Sequence, residues 1–279
     1  MVTTPTPVAP PLPPAPRFGL LVAASVIPDA GERWDRGYTF PPYLVTGAGV
    51  IDPCDMTTAF DVPDRPDIVE AQPFAVVAGD VCSAFGWTEQ NYVERAEDAL
   101  AWQESEQTAA EFWTGDLATA AGWTTNQRLE AGAAVHQAGL GLDPVQAMHC
   151  LEQSLADQQG NLRGMIHATI GTLSHWLDHH LLERQGNLWL SPHGHIVVTD
   201  AGYPGSGPTG TPAANGAVWA YATGLVTVRR GPLILNPETL PEALNRQTNT
   251  VTFRAERLMS PSWDGEALVG VSLNINVCS

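Results

Sequence analysis

Apolar positions first settle into a helical period after Gly86. From about Glu89 to Trp113, the residues Val93, Ala96, Leu100, Ala109 and Phe112 fall on one narrow stripe. Thr88 is placed to cap the start, Glu89 suits the positive end of the dipole, and Gly115 suits a left-handed residue past the end. At 1.5 Å per residue such a helix is about 37 Å long. A helix with a single apolar stripe over that distance has to lie along something large. A second helix is framed by Asp143 as N-cap, Pro144, Gln146 as a capping-box partner and Gly160, with Met148, Leu151 and Leu155 on one face. The apolar segment Met165-Ile166-His167 precedes a third helix, predicted from about Thr169 to Leu182 with Ile170, Leu173, Leu177 and Leu181 in register.

Strand signals follow at Leu188 to Leu190, Ile196 to Thr199, Val218 to Ala222 and Leu225 to Val228. Two period-2 runs close the sequence. Val251, Phe253 and Ala255 form one; Val269, Val271, Leu273, Ile275 and Val277 form the other. Ser262-Trp263-Asp264-Gly265 between them predicts an antiparallel hairpin with one buried face. Upstream of the long helix, from Val22 to about Val77, short clusters such as Tyr38-Thr39-Phe40 and Tyr43-Leu44-Val45 sit among Pro, Gly and Asp, which predicts strands and long loops. So long a loop-rich stretch is unusual in a compact monomer and natural in a subunit whose extensions lie on neighbours. Residues 3–16 hold seven prolines and read as an extended polyproline arm. There is no internal repeat and no coiled-coil heptad.

Composition narrows the function. The 279 residues carry a formal net charge of −17, and every basic side chain other than His is Arg. That balance argues against a nucleic-acid-binding module, which needs clustered cations for phosphates. With 15% charged residues the surface is quiet, as suits large permanent contacts. Cys54, Cys82, Cys150 and Cys278 are far apart and read as free thiols, with no zinc or redox pair. No secretory signal is expected at the N-terminus, and the apolar run Phe18 to Ile27 is too short to span a bilayer, so no membrane partner is expected.

Candidate chemistry is sparse. His175 and His179 stand four apart with His180 beside them, a spacing that can share a cation, but Trp176 replaces the Glu of a His-Glu-x-x-His protease. The alternative of a His-rich metal-dependent hydrolase rests on these residues. Gly202 to Pro208 is glycine-rich without Lys and reads as a flexible loop, and Ser206 lacks a nucleophile-elbow context. Glu97, Asp98, Glu104 and Glu106 read as solvated charge on the long helix. No catalytic, cofactor or metal residues are assigned, and the chain is read as not an enzyme. The nine tryptophans suggest interface anchors: Trp34, Tyr38, Phe40 and Trp87 are the candidate inter-subunit contacts.

Five phrases in order carry a resemblance. They are Arg95-Ala96-Glu97 through Glu111-Phe112-Trp113-Thr114-Gly115, then Gly164 to Ala168, Val197 to Tyr203, Trp219 to Gly224, and Asn249 to Arg257. Over roughly residues 85 to 277 the chain resembles the major capsid proteins of tailed, actinobacterial-type bacteriophages, of the Hong Kong 97 type. The resemblance implies an α+β fold: an N-terminal arm at 1–30, an extended loop with adjoining strands at 31–85, and a peripheral domain with a spine helix at 86–160. An axial domain at 161–235 and C-terminal strands returning to the peripheral domain at 236–279 would complete it. It implies self-assembly into the pentamers and hexamers of an icosahedral virion shell around double-stranded DNA, put together in the host cytoplasm. Scaffold, portal and decoration proteins are the implied partners, and no cofactor is implied. An encapsulin shell is the nearest alternative, and a tail or decoration protein another. The Lys-Asn cross-link of the fold's founding member is impossible in a chain without Lys.

Overall fold

The computed structural model describes residues 17–28, 33–42, 67–83, 89–131, 134–136, 141–212, 216–265 and 267–275. The proline-rich arm, Tyr43 to Val45, Cys54, Trp87, Thr88, Val277 and Cys278 lie outside the described residues.

The chain enters through a single turn, α1 (Leu20–Ala23), and strand β1 (Ser25–Pro28). A short ribbon pairs β2 (Tyr38–Phe40) with β3 (Val69–Ala71). Strand β4 (Phe74–Ser83) then leads to the long helix α2 (Glu89–Thr114), and Gly115, in the left-handed conformation at φ 64°, separates it from α3 (Asp116–Ala121). Next come β5 (Ala134–His136), α4 (Pro144–Gln159), β6 (Met165–Ala168) and α5 (Ile170–Asp178). They are followed by β7 (Glu183–Gln185), β8 (Leu188–Leu190), β9 (Ile196–Thr199), β10 (Ala217–Thr223), β11 (Val226–Arg230) and β12 (Ile234–Asn236). The last elements are α6 (Leu240–Ala243), β13 (Leu244–Asn245), β14 (Thr250–Trp263) and β15 (Leu268–Asn274).

Two sheets organise these pieces. The six-stranded sheet is built on the 14-residue β14. β4 lies antiparallel along one edge of it, from Ser83 opposite Thr250 to Phe74 opposite Met259, while β11, β12 and β13 occupy the other edge and β1 adds in parallel to β11. The second sheet has seven strands in the order β5-β15-β10-β6-β9-β8-β7. Alternation places Phe74, Val76 and Ala78 of β4, with Val251, Phe253 and Ala255 of β14, on one inner face, where the stripe of α2 covers them. Ala96, Leu100, Ala109 and Phe112 of that stripe are buried, as its period predicts.

The C-terminal end of α2 joins the two sheets. Phe112 packs edge-on against Trp263 of β14 at 5.7 Å and against His167 of β6 at 5.4 Å. Trp113 meets Tyr221 of β10 at 5.0 Å and Tyr203 at 4.9 Å, and its indole N–H donates to the Ser206 carbonyl at 3.2 Å. Polar groups lock the same helix. The Asp200 carboxylate accepts from the Leu20 amide and the Ser105 hydroxyl, both at 2.8 Å, so α1 is tied to α2 and to the end of β9.

Several expectations change. The two C-terminal runs are not a hairpin: β14 belongs to the six-stranded sheet and β15 pairs with β10 and β5 in the other, so the Asp264-Gly265 turn carries the chain between sheets. Strand β15 is buried on both faces, its alternate positions being the small Gly270 and Ser272. Its return is therefore to the seven-stranded sheet. Leu20 is fully buried, α4 packs on β15 and β10, and β11 pairs with β14.

The third helix stops at Asp178, where His180 turns to φ 56°, and it buries Thr172 and Trp176, leaving Ile170 exposed. Gly202 to Pro208 is fixed in place: Tyr203 is buried, and a side chain at Gly202 would collide with the Glu106 carbonyl of α2, 2.0 Å from a Cβ there. Glu104 is not solvated. It is 2% exposed and takes Arg230 of β11 at 2.5 and 2.9 Å and Arg257 of β14 at 2.7 Å. A carboxylate so buried is stable only with its cations, and they fix the rotation of α2 over the sheet.

Replacing Glu104 with Ala strands Arg257 and removes this tie, and should destabilise the fold by about 3 kcal/mol. Urea denaturation of the variant beside Arg254→Ala, where the exposed side chain pairs with Glu256, checks this; equal losses would contradict it.

Candidate assembly surface

The outer face of β4 is apolar where solvent would ordinarily select polar residues. Val77 and Val81 are 42% and 62% exposed, with Ala75 exposed beside them. Among the described residues β4 has a strand partner along one edge only, β14. Against this strand, α2 and α3 open a groove of about 420 Å³ lined by Ala75, Val77, Ala110, Thr114 and the exposed Leu117. Gln107, Glu111 and Asp116 also line the groove, and an open strand edge beside it is a surface on which a further extended segment can pair. Trp102 on α2 and Ile234 on β12 are also about half exposed. The sequence signal was available: Phe74 to Val77 are apolar at every position, as expected of a strand covered on both faces.

The sequence-derived contact residues separate. Trp34 is 5% exposed, its ring covered by its own chain. Tyr38 and Phe40 are half-buried and stack at 6.1 Å. Tyr38 is held from within, under the Arg229 guanidinium at 4.6 Å, with its hydroxyl 3.1 Å from the Ser262 hydroxyl. The β2–β3 ribbon is thus anchored to the six-stranded sheet at Tyr38. Trp263, another candidate anchor, is core.

The histidines do not gather around a metal. His175 is half-buried on α5, while His179 and His180 lie past its end and are exposed. Among the described residues no group of three His, Cys, Asp or Glu is arranged to hold an ion. Cys150 is a free thiol.

His167 is instead a structural, neutral imidazole. The Thr223 hydroxyl donates to the Gly224 carbonyl at 2.8 Å, so it accepts from His167 Nε2–H at 2.9 Å, and Nδ1 accepts from the Tyr203 hydroxyl at 3.0 Å. Complete burial pushes its pKa down to about 3, and burial likewise raises the Tyr203 and Tyr221 hydroxyls, with Asp200 and Glu130 respectively adding to the effect. Burial also raises the Glu130 carboxyl against the opposing bond from Ser206.

A second concavity, of about 540 Å³, lies where α4 ends beside the β8–β9 turn. Glu152 forms its wall. Burial alone would raise this carboxyl, but the Ser191 hydroxyl at 2.5 Å, the His193 amide at 2.9 Å and the His193 ring at 2.8 Å hold it below its usual value.

No protein-family model and no curated protein matches this chain. Solved structures do. The capsid of Ralstonia phage GP4 aligns over 100% of this chain and 96% of its own at 9% identity, with a TM-score of 0.58. The capsid of a native GTA particle aligns over 98% and 96% at 11% identity and a TM-score of 0.56. The holo-SrpI encapsulin complex of Synechococcus elongatus aligns over 100% and 94% at 13% identity and a TM-score of 0.53. At these identities the likeness is one of fold: the chain has the α+β Hong Kong 97-type fold.

Because native His167 stays neutral well below the unfolded value near 6.5, the unfolded chain takes up the proton first. Stability should therefore fall as pH drops from about 6.5 toward 3, at up to about 1.4 kcal/mol per pH unit from this residue. Denaturation at pH 7, 6 and 5 should show the decline, less steep in His167→Asn; an unchanged slope in the variant would contradict it.

Proposed function

We propose that this chain is a structural shell subunit, the major capsid protein of a phage head, assembling into pentamers and hexamers of an icosahedral particle that encloses double-stranded DNA. The observation that carries this reading is the end-to-end fold likeness to the Ralstonia phage GP4 capsid, over 100% of this chain and 96% of that one. The apolar outer face of β4 and its neighbouring groove support it, since they form a surface that the described residues leave uncovered.

In this reading the six-stranded sheet with α2 is the peripheral domain, and the seven-stranded sheet with α4 and α5 is the axial domain. The edge of β4 that has no strand partner among the described residues is suited to receive extended chain from a neighbouring subunit. The subunit works by geometry, without a catalytic step. A net charge of −17 keeps the shell from adhering to the enclosed DNA. With no Lys for a Lys–Asn cross-link, interlaced loops, a decoration protein or Cys pairing hold the particle. Assembly belongs to the host cytoplasm and the product to the virion, with scaffold, portal or decoration proteins as partners. Trp34, Tyr38, Phe40 and Trp87 remain proposed contacts between subunits.

The likeness to the holo-SrpI encapsulin complex favours a second reading, a protein-loaded compartment. Nuclease-protected DNA inside purified particles supports the phage head; protein cargo without DNA supports the compartment.

Replacing Val77 and Val81 together with Glu should leave the melting of the unassembled chain within about 1 kcal/mol, because both side chains face outward, yet abolish fast-sedimenting particles. Sedimentation velocity reads the result. Particles formed at the wild-type yield would contradict the role given to β4.

A further inference from the structure

We propose that Glu130 is a proton-controlled latch at the joint between the two sheets: with its carboxyl neutral it holds the loop between β9 and β10 in place, and ionisation loosens that loop. Residue and loop are tied at more than one point. The Glu130 carboxyl accepts from the Ser206 hydroxyl, and the Glu130 backbone carbonyl accepts from the Thr209 amide at 2.9 Å. The Glu130 amide in turn donates to the Trp113 carbonyl at 3.1 Å, which fixes the residue to the last turn of α2.

Ser206 is the centre of this arrangement. Its carbonyl accepts from the Trp113 indole at 3.2 Å and from the Tyr221 hydroxyl at 3.1 Å, so the residue that Glu130 grips also serves two of the rings that seat α2 between the sheets. The gripped loop is strained. Thr209, a β-branched residue, sits at φ 61° and ψ 27°, a left-handed conformation that persists only where surrounding contacts impose it. Its bond to the Glu130 carbonyl is one of those contacts.

Glu130 also lacks a cation. It is 6% exposed, yet it has no ion-pair partner among the described residues, whereas buried Glu104 has two arginines and buried Glu152 has the His193 ring. The charged and titratable groups that face it are Asp116 of α3, Arg128 on its own segment and Tyr221 of β10. Arg128 donates instead to the Thr119 hydroxyl at 2.7 Å, and burial keeps Tyr221 neutral. Burial is the largest effect on Glu130 and raises its carboxyl above the ordinary 4.5; Asp116 adds to this, while the Ser206 hydroxyl, Arg128 and the Gly210 amide oppose it without cancelling it. The folded chain therefore holds this proton more firmly than the unfolded one. The stabilisation is complete below about 4.5 and is lost as pH rises through the raised value, the opposite sense to His167. Above that value the carboxylate gains by turning out to water, and the loop loses its hold.

The latch belongs to the unassembled chain and stands apart from the shell reading. Amide hydrogen exchange between pH 5 and pH 8, corrected for the intrinsic rate, tests it at the Gly207 and Thr209 amides, which bond to the Thr211 and Glu130 carbonyls. In the wild type their protection should fall by about threefold or more as pH rises. In Glu130→Gln, which keeps an acceptor for Ser206 without the charge, protection should no longer fall with rising pH and should exceed that of the wild type at pH 8. The same loss in both chains, or no loss in the wild type, overturns the proposal. The carbon-13 shift of the wild-type Glu130 carboxyl gives a second reading that needs no variant. A titration midpoint above 4.5 is expected, and a midpoint at or below it overturns the proposal as well.

Discussion

Everything else in this molecule is arranged around the seating of one helix end between two sheets. Phe112 and Trp113, adjacent on α2, point into different neighbours: Phe112 reaches Trp263 on one sheet and His167 on the other, and Trp113 reaches Tyr203 and Tyr221. All six rings are buried in the single chain. Truncating either of the two adjacent aromatics would cost about 3 to 5 kcal/mol, a large share of a typical domain's stability. The joint thus sets the relative position of the sheets. Polar ties at other points along α2, Glu104 to two strands and Ser105 to Asp200, fix its rotation.

That rigidity gives the outer surface its meaning. A body braced from within presents β4, with Val77 and Val81 facing outward, as a fixed edge rather than one that could fold back on itself. Long, apolar, open edges are hazards in monomers unless something covers them. In the proposed shell, other copies of the chain supply that cover.

Local features were legible in the sequence, and long-range ones were not. The course of α2 followed from its apolar stripe and from Gly115, which is left-handed as its position required. Asp143 caps α4 as expected, its carboxylate accepting from the Val145 amide at 2.9 Å. Glu104, by contrast, looked like any acidic residue on a helix, because its partners Arg230 and Arg257 lie 126 and 153 residues away. The period of β14 and β15 was read correctly and their pairing was not: an Asp-Gly turn between alternating runs looks the same whether the chain doubles back or crosses to another sheet. For the third helix four aliphatic residues in register suggested the buried face, but Trp176, with its indole bonded to the Pro144 carbonyl at 3.0 Å, is the residue fully buried there. The surface of β4 was passed over because a strand apolar on both faces blends into the loop-rich stretch before it.

The central claim is that copies of this chain close into a shell in which β4 is covered. A cryo-electron microscopy reconstruction of the particles tests it directly. The account predicts an icosahedral shell of pentamers and hexamers with density from a neighbouring copy running along the open edge of β4. A shell that leaves that edge facing solvent, or a chain that remains a 29.8 kDa monomer under every assembly condition, would contradict it.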